Sequence, residues 1–194
     1  AKALTATASA SNKVYDGSST ATVTLSLSGF VGSETVTSTN LSTFNNKNAG
    51  TGKTVTVNSI TLADGTNGGL AANYSISTGQ TTTANVTAKA LTVSGITASN
   101  KVYDSTTNAT TVLSFSGLIG SETINNTNSS TFDNKNIGTG KTVTVNSLTL
   151  VDGSNGGLAS NYSISSGQTT TANVSARPLT CLLYTSPSPR DGTK

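Results

Sequence analysis

Strict alternation of apolar and polar residues marks the first clear strand of the chain. Val23, Leu25 and Leu27 alternate with threonine and serine, so all three point to one face of an extended segment. Similar patterns predict further strands at residues 34–44, 53–62, 74–76 and 80–86. No stretch of ten residues carries a helical period, and we expect at most one helical turn, at residues 70–73.

The longest of these predicted strands changes the face of its apolar residues halfway along. Val55 and Val57 are odd-numbered, whereas Ile60 and Leu62 are even-numbered. Successive side chains of a strand point to opposite faces, so one extra residue between the two pairs is needed to bury all four. The sequence therefore predicts a β-bulge at residues 58–59.

The whole pattern occurs twice, at a constant spacing of 88 residues. Residues 51–59, Thr-Gly-Lys-Thr-Val-Thr-Val-Asn-Ser, recur unchanged as residues 139–147. A period of domain size means tandem copies of one folded module. We therefore divide the chain into a first module, residues 1–88, and a second module, residues 89–176.

Residues 84–93, where the modules meet, contain neither glycine nor proline. The buried parity changes between Val86 and Leu91, which predicts one extended segment that ends the first module and begins the second. Such a connection is not a flexible linker, so we expect the modules to stack end to end with limited bending. Residues 177–180 match residues 89–92, and we expect them to begin a third copy.

Short strands separated by glycine- and asparagine-rich turns predict an all-β (mostly β) fold. Our first choice is a pair of tandem small antiparallel β-sandwich-like modules of the immunoglobulin kind. The alternative is a pair of β-grasp-like modules, each with one short helix.

Charge and composition exclude several classes of function. Each module carries four lysines against three or four acidic residues, so neither offers a basic patch for nucleic acid or an anionic membrane. No run approaches the roughly 20 apolar residues of a membrane helix, and we expect no membrane insertion in this fragment. Abundant threonine, serine, asparagine and glycine without cysteine in the repeats favour an extracellular location.

The chain lacks the usual residues of a catalytic site. It has no histidine, and its one cysteine lies outside the repeats, so the common general base and nucleophile are missing. We therefore expect no enzyme activity, no cofactor and no metal site. A glycosidase-like pair among Asp16, Glu34 and Asp64 is the alternative. Turn capping, or pairing with lysine, is the simpler role. The lysines available for that pairing are Lys13, Lys47 and Lys53.

Two equivalent loops carry the candidate ligand-binding residues. Asp64 and Asn67 lie in the loop 64–69, and Asp152 and Asn155 are their counterparts in the second module. One carboxylate per loop is too few for a good calcium site. If the modules bind a ligand, these exposed loops are where we expect a glycan to be held. A structural glycine-asparagine turn is the simpler interpretation.

The tyrosines and lysines allow two further interpretations. Each tyrosine of the repeats is either a core anchor with a hydrogen-bonded hydroxyl, which we favour, or a stacking platform for a ligand. These are Tyr15, Tyr74, Tyr103 and Tyr162. An internal lysine–asparagine isopeptide bond is an alternative fate for several polar side chains. Its candidates are Lys13, Lys47, Lys53, Glu34, Asn73 and Asn85.

With the repeats aligned, four segments together resemble the bacterial YDG domain, which is similar to MBG-type repeats. They are Asn-Lys-Val-Tyr-Asp-Gly (12–17), Gly-Thr-Gly-Lys-Thr-Val-Thr-Val (50–57), Asn-Tyr-Ser-Ile (73–76) and Ala-Asn-Val-Thr-Ala-Lys-Ala-Leu-Thr (84–92). The second copy has Ser105 where the first has Gly17. This difference predicts that the turn either tolerates a side chain or differs between the copies.

The resemblance implies a function in adhesion and surface display. YDG domains occur in tandem in large secreted proteins, often filamentous-haemagglutinin-like adhesins. It implies stalk or spacer repeats whose partners are the neighbouring repeats of the same chain. The alternative is a module that binds a carbohydrate or protein through its exposed loops.

The C-terminal residues 181–194 depart from the repeat pattern. They resemble one translated reading frame of a common sequencing adapter, and we expect them to be non-native.

Overall fold

The computed structural model describes residues 1–180, which form two similar all-β modules. The strands of the first module are β1 (Lys2–Ala3), β2 (Thr5–Ala10), β3 (Lys13–Val14), β4 (Thr20–Ala21), β5 (Val23–Ser28), β6 (Val36–Phe44), β7 (Gly50–Asp64), β8 (Tyr74–Ser75) and β9 (Thr81–Thr87). Those of the second are β10 (Lys89–Ala90), β11 (Thr92–Ala98), β12 (Lys101–Val102), β13 (Asn108–Ala109), β14 (Thr111–Ser116), β15 (Ile124–Phe132), β16 (Gly138–Asp152), β17 (Tyr162–Ser163) and β18 (Thr169–Ser175).

A five-stranded sheet forms one layer of each module. Its order is β3-β9-β7-β6-β4 in the first module and β12-β18-β16-β15-β13 in the second. A two-stranded antiparallel ladder, β2 with β5 or β11 with β14, covers the sheet. The tandem β-sandwich-like fold is confirmed, but it is not wholly antiparallel, because β3 pairs with β9 and β1 with β8 in parallel.

The core of the first module lies between these two layers. Val55 and Val57 of β7 are fully buried, and Val86 of β9 is nearly so. The ladder contributes Val23 and Leu25 to the same cluster, as the alternation along that segment predicted. Burial of a branched or aliphatic side chain stabilises a fold by about 1.5–3 kcal/mol, so these residues fix which strand faces meet.

The predicted β-bulge is confirmed. Leu41 of β6 pairs with Ser59 of β7, whereas the next residue, Ser42, pairs with Val57. Asn58 is therefore the extra residue, and the inward face of β7 changes from odd to even positions there. The equivalent register shift follows Ser129 in the second module.

The single helical turn is also confirmed, as a 3-10 turn at Ala71–Asn73 and again at Ala159–Asn161. The strand predicted at residues 74–76 is only two residues long. It pairs in parallel with β1 near the N-terminus of its own module, a contact between distant segments that local patterning does not reveal.

The connection between the modules is extended, as predicted. β9 ends at Thr87, β10 occupies Lys89–Ala90, and β11 begins at Thr92. Val86 is buried in the first module and Leu91 in the second. Residues 176–180 lie outside the strands, so their assignment to a third copy stays a prediction, and the adapter-like residues 181–194 lie outside the described residues.

Candidate functional site: the junction between the modules

The most elaborate polar site in the described residues lies where the two modules meet. We call the end of a module that points to the following module its trailing face, and the opposite end its leading face. The trailing face of the first module contributes Tyr15, Gly17, Lys47, Asn48 and Ala49. The leading face of the second module contributes Ile119, Glu122, Asn161 and Tyr162.

Glu122 lies at the centre of this junction, with its side chain only 7% exposed. Its Oε1 accepts hydrogen bonds from the Tyr15 hydroxyl at 2.7 Å and from Lys47 Nζ at 3.2 Å. Its Oε2 accepts one from the Tyr162 hydroxyl at 2.7 Å. A buried carboxylate is stable only when charged or strong donors surround it, and here two of the three donors come from the other module.

Local backbone structure brings these side chains together. Tyr15 follows β3, and its amide donates to the Thr87 carbonyl at 2.8 Å, which fixes the residue at the end of the last strand. Glu122 lies in the turn between β14 and β15, where its amide donates to the Ile119 carbonyl at 3.0 Å. The Ile119 amide in turn donates to the Tyr162 hydroxyl at 3.0 Å, so that this hydroxyl is oriented toward Glu122.

The charges of the junction shift the pKa values of its groups. Burial alone raises the pKa of Glu122, but hydrogen bonds from Tyr15, Tyr162 and Lys47 outweigh it and leave that pKa lowered. Burial, with the hydrogen bond to Glu122, raises the pKa of Tyr162 to about 12. The same two causes raise the pKa of Tyr15, and the hydrogen bond to Glu122 raises the pKa of Lys47. At neutral pH, Glu122 is ionised and both tyrosines are neutral donors.

Asn161 forms a second polar contact across the junction. It is fully buried, at 0% exposure, although it lies in the 3-10 turn near the surface of its module. Its Oδ1 accepts from the Ala49 amide at 2.8 Å, and its Nδ2 donates to Asn48 Oδ1 at 3.2 Å. The side chain therefore satisfies backbone and side-chain groups of the neighbouring module.

Apolar contacts surround the polar groups. The rings of Tyr15 and Tyr162 meet edge to face, with centroids 5.5 Å apart. Tyr162 and Leu91 belong to the same buried cluster as Val86 of the first module, so one hydrophobic core continues through the junction. A Cβ at Gly17 would lie 2.8 Å from Ile119 Cγ2, so a side chain there would displace the second module.

The candidate ligand-binding residues of the two loops form hydrogen bonds within their own modules. Asp64 Oδ1 accepts from the Ala71 amide at 2.7 Å, and Asp152 Oδ1 accepts from the Ala159 amide at 2.7 Å. Asn67 and Asn155 have positive φ, and each donates from Nδ2 to a backbone carbonyl of the preceding turn. All four side chains have the structural partners that the turn interpretation predicted.

The three carboxylates considered for catalysis have different partners in the structure. Asp16 pairs with Lys13 at 2.8 Å, as the turn-and-lysine interpretation predicted. Glu34 accepts a hydrogen bond from the Tyr74 hydroxyl at 2.6 Å. Asp64 caps the 3-10 turn as described above.

The isopeptide candidates have other partners in the structure. Burial lowers the pKa of Lys53, but its ammonium donates to Asn46, which was not among the candidates. Asn85 accepts from the Gly52 amide at 2.7 Å, and Asn73 is exposed.

The tyrosines are core anchors, as favoured. Tyr15, Tyr74 and Tyr162 are each at most 5% exposed, and Tyr103 is half-buried. The contacts of Tyr15 and Lys47 with Glu122 cannot be predicted from local sequence patterns, because 107 and 75 residues separate the partners. The repeat itself was the available signal, since a tyrosine, a lysine and a glutamate recur at the same positions in both copies.

No three histidine, cysteine, aspartate or glutamate side chains within residues 1–180 are grouped so that they could hold a metal ion. In that same part of the chain, no helix is long and apolar enough to cross a membrane.

Comparison with known families agrees with this architecture. The YDG domain matches residues 1–84 and again residues 87–172, so the chain belongs to the YDG domain family and contains two tandem copies. No match was found among the curated proteins or among the solved structures.

Proposed function

We propose that the two modules are stalk or spacer repeats of a large secreted or surface-displayed bacterial adhesin, with no catalytic role. The observation that carries this proposal is the junction, where one hydrophobic core and a buried carboxylate are shared by both modules. Tandem YDG domains support a repetitive architecture of this kind.

A spacer keeps its two ends at a fixed distance only if the array does not bend where neighbouring modules meet. Solenoid-like arrays achieve this when neighbouring repeats share an apolar and hydrogen-bonded interface. Here the connection from β9 to β11 has no flexible linker, and Glu122 and Asn161 fix the second module against the first. Each added module then extends the array by one repeat in a defined direction.

The loops give less support to the alternative, a module that binds a glycan or a host protein. Asp64 and Asn67 already bond to the backbone of their own module. The equivalent loop of the second module lies beside the junction, where a Cβ at Gly156 would be 3.8 Å from Lys47 Nζ. We therefore rank the spacer function above ligand binding through these loops.

Labelling of intact bacteria tests the surface location. Antibodies raised against the purified chain should label unpermeabilised cells that express the full protein. Labelling that requires permeabilisation would place the protein inside the cell and end the adhesin proposal.

A ligand screen separates spacer from binding module. The fluorescent chain, applied to a glycan array and to host cells, should show no saturable binding. Saturable binding that is lost in an Asn67→Ala or Asn155→Ala variant would assign ligand recognition to these loops instead.

A further inference from the structure

The two equivalent loops 64–69 and 152–157 each contain one Asn-Gly pair. The pairs are Asn67-Gly68 and Asn155-Gly156, and no other asparagine of the chain is followed by glycine. The amide nitrogen of the following residue can attack an asparagine side chain, and glycine shields this nitrogen least because it has no Cβ. An Asn-Gly pair in an exposed loop is therefore chemically reactive, provided that the loop leaves this nitrogen free.

The second loop leaves the Gly156 nitrogen free to react. In the part of the chain that the structure describes, the Gly156 amide donates no hydrogen bond, whereas the Gly153 and Gly157 amides donate to backbone carbonyls at 2.9 and 3.1 Å. Asn155 is exposed, even though the first module lies against this end of the second. A Cβ at Gly156 would meet no atom closer than 3.8 Å, so the peptide between the two residues has room to rotate. In the first loop, a Cβ at Gly68 would meet nothing within 4 Å.

The Asp-Gly pair of the same loop is held differently. The Gly153 amide, which follows Asp152, donates to the Gly157 carbonyl at 2.9 Å and is not available as a nucleophile. A Cβ at Gly153 would clash with the carbonyl of Thr123, so the backbone has no room to rotate there. The loop therefore protects its Asp-Gly pair and leaves its Asn-Gly pair open.

From this contrast we infer that Asn67 and Asn155 are sites of spontaneous deamidation, a modification that needs no enzyme. The Gly156 nitrogen loses its proton and attacks Cγ of Asn155. The new N–Cγ bond closes a succinimide ring, and Nδ2 takes up a proton and leaves as ammonia. Water then adds to one of the two ring carbonyls, and the bond from that carbonyl to the ring nitrogen breaks. Opening at the side-chain carbonyl gives aspartate, and opening at the main-chain carbonyl gives isoaspartate. Gly68 reacts with Asn67 in the same way.

At position 155 the product changes the junction. Asn155 Nδ2 donates to the Ser121 carbonyl at 3.0 Å, and a carboxylate in its place presents an oxygen to that carbonyl. The new charge also lies close to Glu122, because a Cβ at the adjacent Gly156 would be 4.0 Å from Glu122 Oε1. The same Cβ would be 3.8 Å from Lys47 Nζ, so the new carboxylate competes with Glu122 for this lysine. Like charges at this separation disfavour each other, and deamidation therefore weakens the contact between the modules.

Prolonged incubation of the purified full chain tests the inference. The chain is kept at physiological temperature in a mildly alkaline buffer, with a thiol reductant present because of Cys181. Over several weeks, the intact mass should rise in steps that correspond to the replacement of an amide NH₂ by OH. Peptide mapping should place these steps at Asn67 and Asn155. Asn58 and Asn146, which lie in strands and are followed by serine, are internal controls and should stay unmodified.

A variant assigns one of the steps to its residue. Asn155→Gly keeps a residue suited to the positive φ at this position and removes the reactive amide, so one of the two mass steps should disappear. An intact mass that does not change during the incubation would overturn the inference. A mass gain on asparagines outside the two loops, with none at Asn67 and Asn155, would overturn it as well.

Aspartate variants measure the effect on the junction directly. Asn155→Asp and Asn67→Asp are matched, because each removes one side-chain donor to a backbone carbonyl of its own module. Asn155→Asp should lower the folding equilibrium constant roughly threefold more than Asn67→Asp, since position 155 also places a charge beside Glu122. Urea titration measures both. In a Glu122→Gln background this excess should disappear.

Equal losses in the two aspartate variants would overturn the assigned effect on the junction. An excess that persists in the Glu122→Gln background would show that repulsion from this carboxylate is not its cause. None of these results bears on the surface-labelling test of the stalk proposal.

Discussion

The Tyr15 hydroxyl of the first module donates a 2.7 Å hydrogen bond to Glu122 of the second, 107 residues further along the chain. The same carboxylate accepts from Tyr162 of its own module. The two modules therefore complete one buried site, and this site couples their stabilities. In such an array, total stability depends on the interface as well as on each module.

Removal of the Tyr15 hydroxyl should weaken this coupling. We expect Tyr15→Phe to lower the free energy of unfolding by about 1.5–3 kcal/mol, because Glu122 loses a buried charged hydrogen bond while the ring packing remains. Urea titration measures the change. Tyr103→Phe is the matched control, because within residues 1–180 its hydroxyl has no hydrogen-bond partner, and it should cost less than about 0.5 kcal/mol. Equal effects of the two variants would contradict a coupling role.

Asn161 should be far more sensitive to substitution than its repeat counterpart. Asn161→Ala leaves the Ala49 amide without its acceptor inside the junction, at a cost of about 1–3 kcal/mol. Asn73→Ala changes an exposed side chain on the leading face of the first module and should leave the free energy of unfolding nearly unchanged. The free energies of unfolding of the two variants give the comparison directly. A large loss in Asn73→Ala would mean that this asparagine stabilises its own 3-10 turn.

Exchanging glycine and serine at positions 17 and 105 should change the free energy of unfolding in opposite directions. Both have positive φ, a conformation that costs a side-chain-bearing residue about 1–2 kcal/mol, so Ser105→Gly should stabilise the chain. Gly17→Ser should destabilise it by more than that cost, because its Cβ also meets Ile119. An Ile119→Ala background should remove the steric part, which a double-mutant cycle measures. Additive effects of the two substitutions would exclude the contact.

Most of the fold could be predicted from local sequence, and most of the junction could not. Alternation and its change of parity at Asn58 predicted β7 and its bulge, because side-chain direction in a strand depends only on neighbouring positions. The absence of glycine and proline likewise predicted the extended connection. The short parallel pairs, such as β3 with β9, join segments more than 70 residues apart and leave no periodic signal.

The role of Glu122 could not be predicted from the sequence, for a related reason. Its donors come from three distant segments, and a lone glutamate between glycine-rich turns has the sequence signature of an exposed residue. The prediction that lysines pair with acidic residues is confirmed for Lys13, which is three residues from its partner Asp16. It could not reveal that Lys47 pairs across the junction.

Alkaline titration should detect the buried tyrosines of the junction. The pKa of Tyr162 is raised from 10.0 to about 12 by burial and by Glu122, so its stabilising contribution is complete below pH 10. It is lost as the pH rises from 10 to about 12, since the unfolded chain releases this proton more readily. Absorbance of tyrosinate should show a late-titrating group that Glu122→Gln shifts to lower pH. An unshifted titration in that variant would exclude the carboxylate as a cause.

We expect acid to weaken the contact between the modules, because it protonates Glu122. Its pKa is lowered from the ordinary 4.5, because hydrogen bonds from Tyr15, Tyr162 and Lys47 outweigh the effect of burial. The unfolded chain therefore binds this proton more readily than the folded one. The stabilisation is present above pH 4.5 and is lost as the pH falls through the lowered pKa of the folded state.

A comparison of variants isolates this carboxylate from the others. Asp16, Asp104 and Asp133 also have lowered pKa values, through their lysine and backbone partners, so the whole chain loses stability in acid. Glu122→Gln is less stable at neutral pH, but the gap between it and the unmodified chain should narrow as the pH falls below 4.5. Urea titrations across this range measure the gap. If it stays constant with pH, the pKa of Glu122 is the same in the folded and unfolded chain, and the stabilising charged hydrogen bonds assigned to Tyr15 and Lys47 are wrong.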